Sequence, residues 1–450
     1  MRSSESSGLN LRKPLLLLPQ SIVREKQANG MVWIACSNRR VPLISLNFFL
    51  LAGKDQNPDR LPGLATMTSR LLNEGSRNFP GLRFSEEIEK IGVEFSSFVE
   101  REITGVSLQF LPEHLEPAVM LLAEMVRRPE FSSRRFEQER ARVQNHVRSL
   151  EDDPQVVCSQ LFNFAIYEGS PLQHPTLGTL ESLQAMSLDD LKKFHRGQYS
   201  PERSCLIGVG DLDAERLFSI CRRHFADWSN PETESLRTFR FQRQSTPKFV
   251  ERRMDKEQTV IYLGHLGVPR EHPDYYALQV LDAILGGGPG FASRIPRLLR
   301  DELGLAYSTF SDLTGSSGIH PGRFVAFIST SPENARRAVS ELSRQIERIR
   351  SAPVDEEELA VAQEFLTGSF VFEFQSNGNL ARFLLNRELF GLPVDFPSRY
   401  PEWIRQITRK RILQVARRHL DAVNYTLVVV GPTGANGHPV LSANFGDSVP

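Results

Sequence analysis

The segment GLATMTSRLLNEGS, residues 63–76, has the periodicity of a helix whose two faces differ in chemistry. Leu64, Met67 and Leu71 fall on one face, the pattern of a stripe turned toward a core. Thr66, Ser69, Arg70 and Asn73 gather on the opposite face. These are hydrogen-bonding groups, and none is a good ligand for a transition metal. Arginine also stays protonated in proteins, so Arg70 brings a permanent positive charge to that face. A later stretch, ERARVQNHVRSLEDDP (139–154), carries His146. A single imidazole cannot make a catalytic zinc site, which takes three protein ligands, an open position and a base to activate water.

The second chemistry-bearing stretch is LGGGPGFASRIPRLLRDELGLAYSTFSDL (285–313). Its glycines invite a phosphate-binding reading, but no G-x-x-x-x-G-K-[ST] and no strand–GxGxxG–helix frame fits. The segment reads as a tight loop entering a helix over 291–302, which Pro296 kinks or starts. A turn at Gly304 then leads to a strand over 305–310. Arg300 lies near the helix end and Tyr307 on that strand. Neither a G-x-S-x-G motif nor a Cys–His pair is evident, which leaves a hydrolase with its own nucleophile without support.

The elements that must position these residues repeat along the chain. Residues 41–76 read as strand, polar turn, helix, and residues 258–288 give the same order. Residues 187–213 read as a capped helix, a turn and a strand ending in glycine, and residues 407–434 repeat that pattern. Two homologous α+β halves, each a mainly antiparallel sheet packed with helices, account for both matches. Residues 93–111 read as two strands around a turn at Glu100–Glu102. Residues 112–129 read as a helix with Leu115, Val119, Leu122 and Val126 on its buried face. The expected divisions are an extension over 1–29, a first half over 30–229, a linker over 230–250, a second half over 251–435 and a tail over 436–450. The linker is charged, rich in Ser, Thr and Pro, and lacks helical periodicity.

Composition narrows the classes. At 450 residues the chain is too long for one ordinary core. Lysine plus arginine balances aspartate plus glutamate at 54 each, so no global field favours nucleic acid or an anionic membrane. Cys36, Cys158, Cys205 and Cys221 have no paired spacing and read as buried free thiols. The apolar run Leu15–Leu18 is too short to cross a bilayer or to form a signal-peptide core. A cytoplasmic location is expected, with export or an organelle as the alternative if translation starts elsewhere.

Here the chain resembles the pitrilysin/insulinase-like metallopeptidases, which include the mitochondrial processing peptidases. Active members carry an inverted zinc motif in a frame like G-x-A-H-x-x-E-H-x-L-x-x-G-[ST]. Residues 63–76 keep that frame, with Thr66 and Arg70 at the histidine positions and Ser69 at the glutamate position. His146 stands where the family's third ligand, a glutamate, is expected. The resemblance extends from about residue 30 to 432 and includes Tyr199, Pro201 and the strand end at Gly208–Gly210. It also includes the family's arginine/tyrosine motif at Arg300 and Tyr307.

The resemblance implies no metal or other cofactor in this chain, with zinc expected in a partner. It implies a non-catalytic subunit of a two-chain peptidase, inactive alone, closing a clamshell over a zinc-bearing homologue and a peptide substrate. Arg300 and Tyr307 would complement the partner's active site. Residues 93–99 are the counterpart of the sheet edge on which such enzymes hold peptides, but with no zinc expected beside it here, the resemblance gives that edge only a weak substrate-holding role. The alternative is a scaffold built on the peptidase fold with no role in proteolysis.

Overall fold

The computed structural model describes residues 22–289 and 292–432. The first sheet contains β1 (Ile22–Lys26), β2 (Val32–Ser37), β3 (Ile44–Leu50), β4 (Glu94–Val99), β5 (Thr104–Phe110) and β6 (Ser204–Gly210), in the order β1-β2-β6-β3-β5-β4. The second contains β7 (Lys248–Arg253), β8 (Thr259–Leu266), β9 (Ser308–Asp312), β10 (Arg323–Thr330) and β11 (Thr426–Gly431), in the order β7-β11-β8-β10-β9. With β1 set aside, the sheets match strand for strand. The pair β2–β6 is parallel, as is β7–β11, and every later neighbour in either sheet is antiparallel. The duplication read from the sequence is therefore a duplication of topology.

Several boundaries differ from expectation, each for a local reason. Strand β1 lies in the expected N-terminal extension, yet it pairs with β2 from Ile22↔Cys36 to Lys26↔Val32. Its sequence IVREK is largely charged, as suits an exposed sheet edge, and that hides its period. Strand β7 begins at Lys248, inside the expected linker. The helix expected over 291–302 starts at Arg294, so Pro296 occupies the first turn, where its missing N–H is not needed. Phe291 lies outside the described residues. From Arg297 to Glu302 the helix widens to π spacing. The following strand begins at Ser308, not Leu305, because the N–H groups of Leu305 and Ala306 both turn back to the Leu299 carbonyl (2.8 and 3.1 Å).

Each half covers one face of the other's sheet. The helix Pro154–Ile166 is started by Asp153, whose Oδ1 accepts from the Gln155 and Val156 N–H groups (2.8 and 3.3 Å). Its stripe of Cys158, Phe162 and Ile166 is buried against Val260, Tyr262, Val325, Phe327, Val428 and Val430 of the second sheet. Phe162 meets the Tyr262 ring edge-on at 5.7 Å. In return, the helix Asn377–Leu389 of the second half packs on β3 and β6. Its Leu380, Ala381, Leu384 and Leu385 share one core with Ile34, Cys36, Phe49, Cys205 and Ile207. Arg24 of β1 closes over that helix, with Nη2 2.6 Å from Glu388 Oε1. All four cysteines are free and buried.

Polar contacts continue the seam. Arg101, in the turn after β4, donates to the carbonyls of Ser316 (2.6 Å) and Pro321 (2.8 Å) in the loop after β9. The His320 N–H donates to Glu102 Oε1 (3.1 Å), and its Nε2 lies 3.2 Å from Asp55 Oδ2. None of the described helices is long and apolar enough to cross a membrane.

Candidate functional site

The helix Leu64–Arg70 opens at Gly63, which has φ 91°. A Cβ there would lie 2.6 Å from the Leu177 carbonyl oxygen, so only glycine admits the segment around residues 176–178 this close. Leu64, Met67 and Leu71 are buried in the first core, as the wheel requires. The opposite face is not left open. Thr66 and Ser69 are buried as well, at 7% and 1% exposure, because that segment covers the helix. Thr66 Oγ1 donates to the Thr176 carbonyl at 2.6 Å. Among the described residues Ser69 Oγ has no hydrogen-bond partner.

Arg70 closes the arrangement. Its Nη1 lies 2.7 Å from Oε1 of Glu139, which enters from the helix Ser133–Leu150 and is almost fully buried. The other oxygen of Glu139 accepts from Arg142 Nη1 at 2.8 Å. A cavity of about 370 Å³ lies over Ser69, Arg70, Asn73, Glu139 and Arg142, walled on one side by Phe95, Ser97 and Val99 of β4. His146, two turns beyond Glu139, is exposed and outside that lining. The sequence-derived set is thus divided: Thr66, Ser69 and Arg70 come together, and His146 does not join them. Glu139 and Arg142 take its place; sequence reasoning missed both, although their i,i+3 spacing within residues 139–154 is a signal that could have found them.

This set does not fit a zinc ion. The Thr66 hydroxyl is committed to a carbonyl, and the Arg70 guanidinium occupies the carboxylate nearest it. A fixed cation beside the position would oppose a dication.

Arg300 and Tyr307 are held elsewhere. Neither lines the cavity over Arg70. Arg300 is half-buried and its Nε bonds Asp301 Oδ1 at 3.0 Å. Tyr307 precedes β9 rather than lying within it, but its N–H donates to the Ser329 carbonyl at 2.9 Å, the first link of β9 to β10. Its side chain is 62% exposed. A phenol anchored by the main chain yet open to solvent can present its hydroxyl to another molecule.

Two other titratable groups stand out. His272, Asp274 and His419 bring their ligand atoms within 4.8 Å of one another. Asp274 already holds His419 Nε2 (2.6 Å), Arg418 Nη1 (3.0 Å) and the Arg411 guanidinium, so the group ties two helices together and its cations oppose a metal. Asp282 is the second. Burial, then the charge of Asp312, pushes its carboxyl up to about 8, although Ser311 Oγ donates to it at 2.7 Å.

With this geometry in view, comparison with known proteins is informative. Residues 35–180 match the family described as insulinase, peptidase family M16, and residues 185–366 match the M16 inactive domain. The chain belongs to peptidase family M16. It is 26% identical over 398 residues to an uncharacterized zinc protease of Mycobacterium tuberculosis, covering 87% of this chain and 89% of that one. It is 22% identical over 431 residues to a Helicobacter pylori protein described as a non-peptidase homolog, covering 93% and 98%. Among solved structures, the M16 inactive domain protein of Pseudomonas fluorescens superposes with a TM-score of 0.84 at 23% identity, covering 92% of this chain and 98% of that one. A Helicobacter pylori protease superposes with the same score at 19% identity, covering 92% and 100%. This M16 homologue therefore has the two-half peptidase fold with a zinc-site helix unsuited to zinc.

Proposed function

We propose that the chain is the non-catalytic subunit of a two-chain M16 peptidase, closing the chamber of a zinc-bearing homologue and lending it Arg300 and Tyr307. The observation that carries this reading is the exposure of Tyr307 on a hydrogen-bonded strand start, in a chain whose own metal positions are filled by Thr66, Ser69 and Arg70. The metal belongs to the partner. This chain's contribution is hydrogen-bond donation: a phenol and a guanidinium suit the charge that develops on a peptide carbonyl oxygen under attack by water. Removing one such donor costs about a hundred-fold or more in rate.

The test is reconstitution with a zinc-bearing M16 homologue from the same genome. Arg300→Ala or Tyr307→Phe should lower kcat and kcat/KM together by about a hundred-fold while the complex stays intact. Thr66→Ala should be nearly silent. The Arg300–Asp301 pair favours the scaffold reading, in which the guanidinium is occupied within its own chain. That reading takes over if both substitutions leave kcat unchanged in an intact complex.

A further inference from the structure

The face that carries the metal in active relatives has, in this chain, the chemistry of an anion site. Arg70 has five N–H donors and spends one on Glu139; Arg142 likewise spends one. Glu139 bridges the two guanidiniums with one oxygen each, which orders them and leaves the trio with one net positive charge. The other acid of the cavity wall, Glu74, is neutralised by Arg135, whose Nε lies 3.2 Å from its Oε2. Ser69 adds an independent sign. The residue is 1% exposed and lines the cavity, and among the described residues its hydroxyl has no partner; such a donor costs free energy unless something accepts from it.

We infer that this cavity binds the carboxylate of a peptide, held by the spare donors of Arg70 and Arg142 and by the Ser69 hydroxyl. Planar guanidiniums match a carboxylate's two oxygens. The adjoining wall favours a peptide as the carrier. Strand β4 ends the sheet order, and among the described residues no strand pairs with its outer edge. The 370 Å³ volume admits a terminal residue with its carboxylate. The carboxylate can come from a chain terminus or from an acidic side chain. A free terminus is what peptide-bond hydrolysis supplies. The site belongs to this chain alone and does not depend on the proposed partner.

The test uses the chain without a partner and three decapeptide mixtures lacking Pro, each labelled at the N-terminus with a neutral dye that has no carboxylate, followed by fluorescence anisotropy. One mixture has no Asp or Glu and ends in a free carboxylate, one has no Asp or Glu and ends in an amide, and one ends in an amide preceded by a single Glu. At least one carboxylate-bearing mixture should bind about ten-fold or more tighter than the plain amide. The stronger of the two identifies the source. Arg70→Gln should abolish the difference, and Ser69→Ala should reduce it several-fold. Glu139→Gln removes the competing anion, so it should strengthen carboxylate binding, and it serves as the test should Arg70→Gln fail to fold. Equal binding of all three mixtures overturns the proposal. So does a preference that survives Arg70→Gln, or one that weakens in Glu139→Gln.

Discussion

Arg70 decides what the first-half site can and cannot be. Its ion pair with the buried Glu139 puts a fixed cation where a metal ligand would have to stand. Reinstating the motif residues by Thr66→His, Ser69→Glu and Arg70→His therefore should not restore peptidase activity to the isolated chain. The change strips Glu139 of one guanidinium, and His146 stays outside the cavity. A peptide-cleavage assay with zinc supplied should stay at background; turnover at an active relative's rate would show that the surrounding groups still suit the metal. A milder consequence concerns stability. Arg70→Gln leaves Glu139 buried with Arg142 as its remaining cation, a loss of about 1–2 kcal/mol, because Arg70 itself is partly exposed. The midpoint of urea unfolding should fall accordingly, and Glu139→Gln in the same chain should recover part of it. The sequence made the exchange of Thr66, Ser69 and Arg70 for metal ligands legible because the flanking frame is kept. It did not show that Glu139 would meet Arg70. Spacing places residues on a helix face, but only the packing of the two helices decides which turn of one faces the other.

At the scale of elements, the Tyr275–Asp282 helix ends in a carboxyl pushed up to about 8 by burial and the Asp312 charge, beside the start of the glycine-rich turn. Between the ordinary value near 3.8 and 8, the folded chain keeps a proton there that the unfolded chain releases. Stability from this group is therefore full at low pH and is lost as pH rises through that window, by up to about 1.4 kcal/mol per pH unit. Asp282→Asn should flatten that part of the stability–pH curve measured by urea titration, with a gain in stability that grows up to about pH 8 and stays constant above it. A curve for Asp282→Asn parallel to the parent's would show that Asp282 carries no buried proton. This too lay beyond the sequence, since an aspartate at a helix end ordinarily faces water. The helix itself, and the one at Leu115–Arg127, were legible because a long apolar period specifies a buried face whatever it meets. Strand β1 was not, because a charged edge strand has half of its signal removed.

Across the whole molecule, the two sheets repeat one topology but do not form two independent cores. Phe162 of the first half is fully buried on the second sheet. Phe162→Ala should cost about 3–5 kcal/mol and loosen β8, β10 and β11, not the sheet it is sequentially closest to. Amide hydrogen exchange resolves which sheet opens; faster exchange confined to β2, β3 and β6 would contradict the packing. Cys158, Phe162 and Ile166 have the spacing of one helix face, but Val156, Val157, Leu161 and Phe164 lie around them, so no single apolar stripe stands out in the sequence. The destination of that face is not legible either, because periodicity does not record which surface receives it.

That exchange also has a consequence for how the chain is made. When the ribosome releases the helix Pro154–Ile166, the sheet that will cover it does not yet exist, and its last strand, β11, ends at Gly431. At synthesis rates of roughly 5–20 residues per second, the helix waits on the order of 15–50 seconds with Cys158, Phe162 and Ile166 uncovered. The first half thus leaves the tunnel able to form its own sheet, while this greasy helix and the sheet face of Ile34, Cys36, Phe49, Cys205 and Ile207 both wait for the second half. Those surfaces are closed only when the final strand slides between β7 and β8, so the interval before it is when the chain is most open to aggregation.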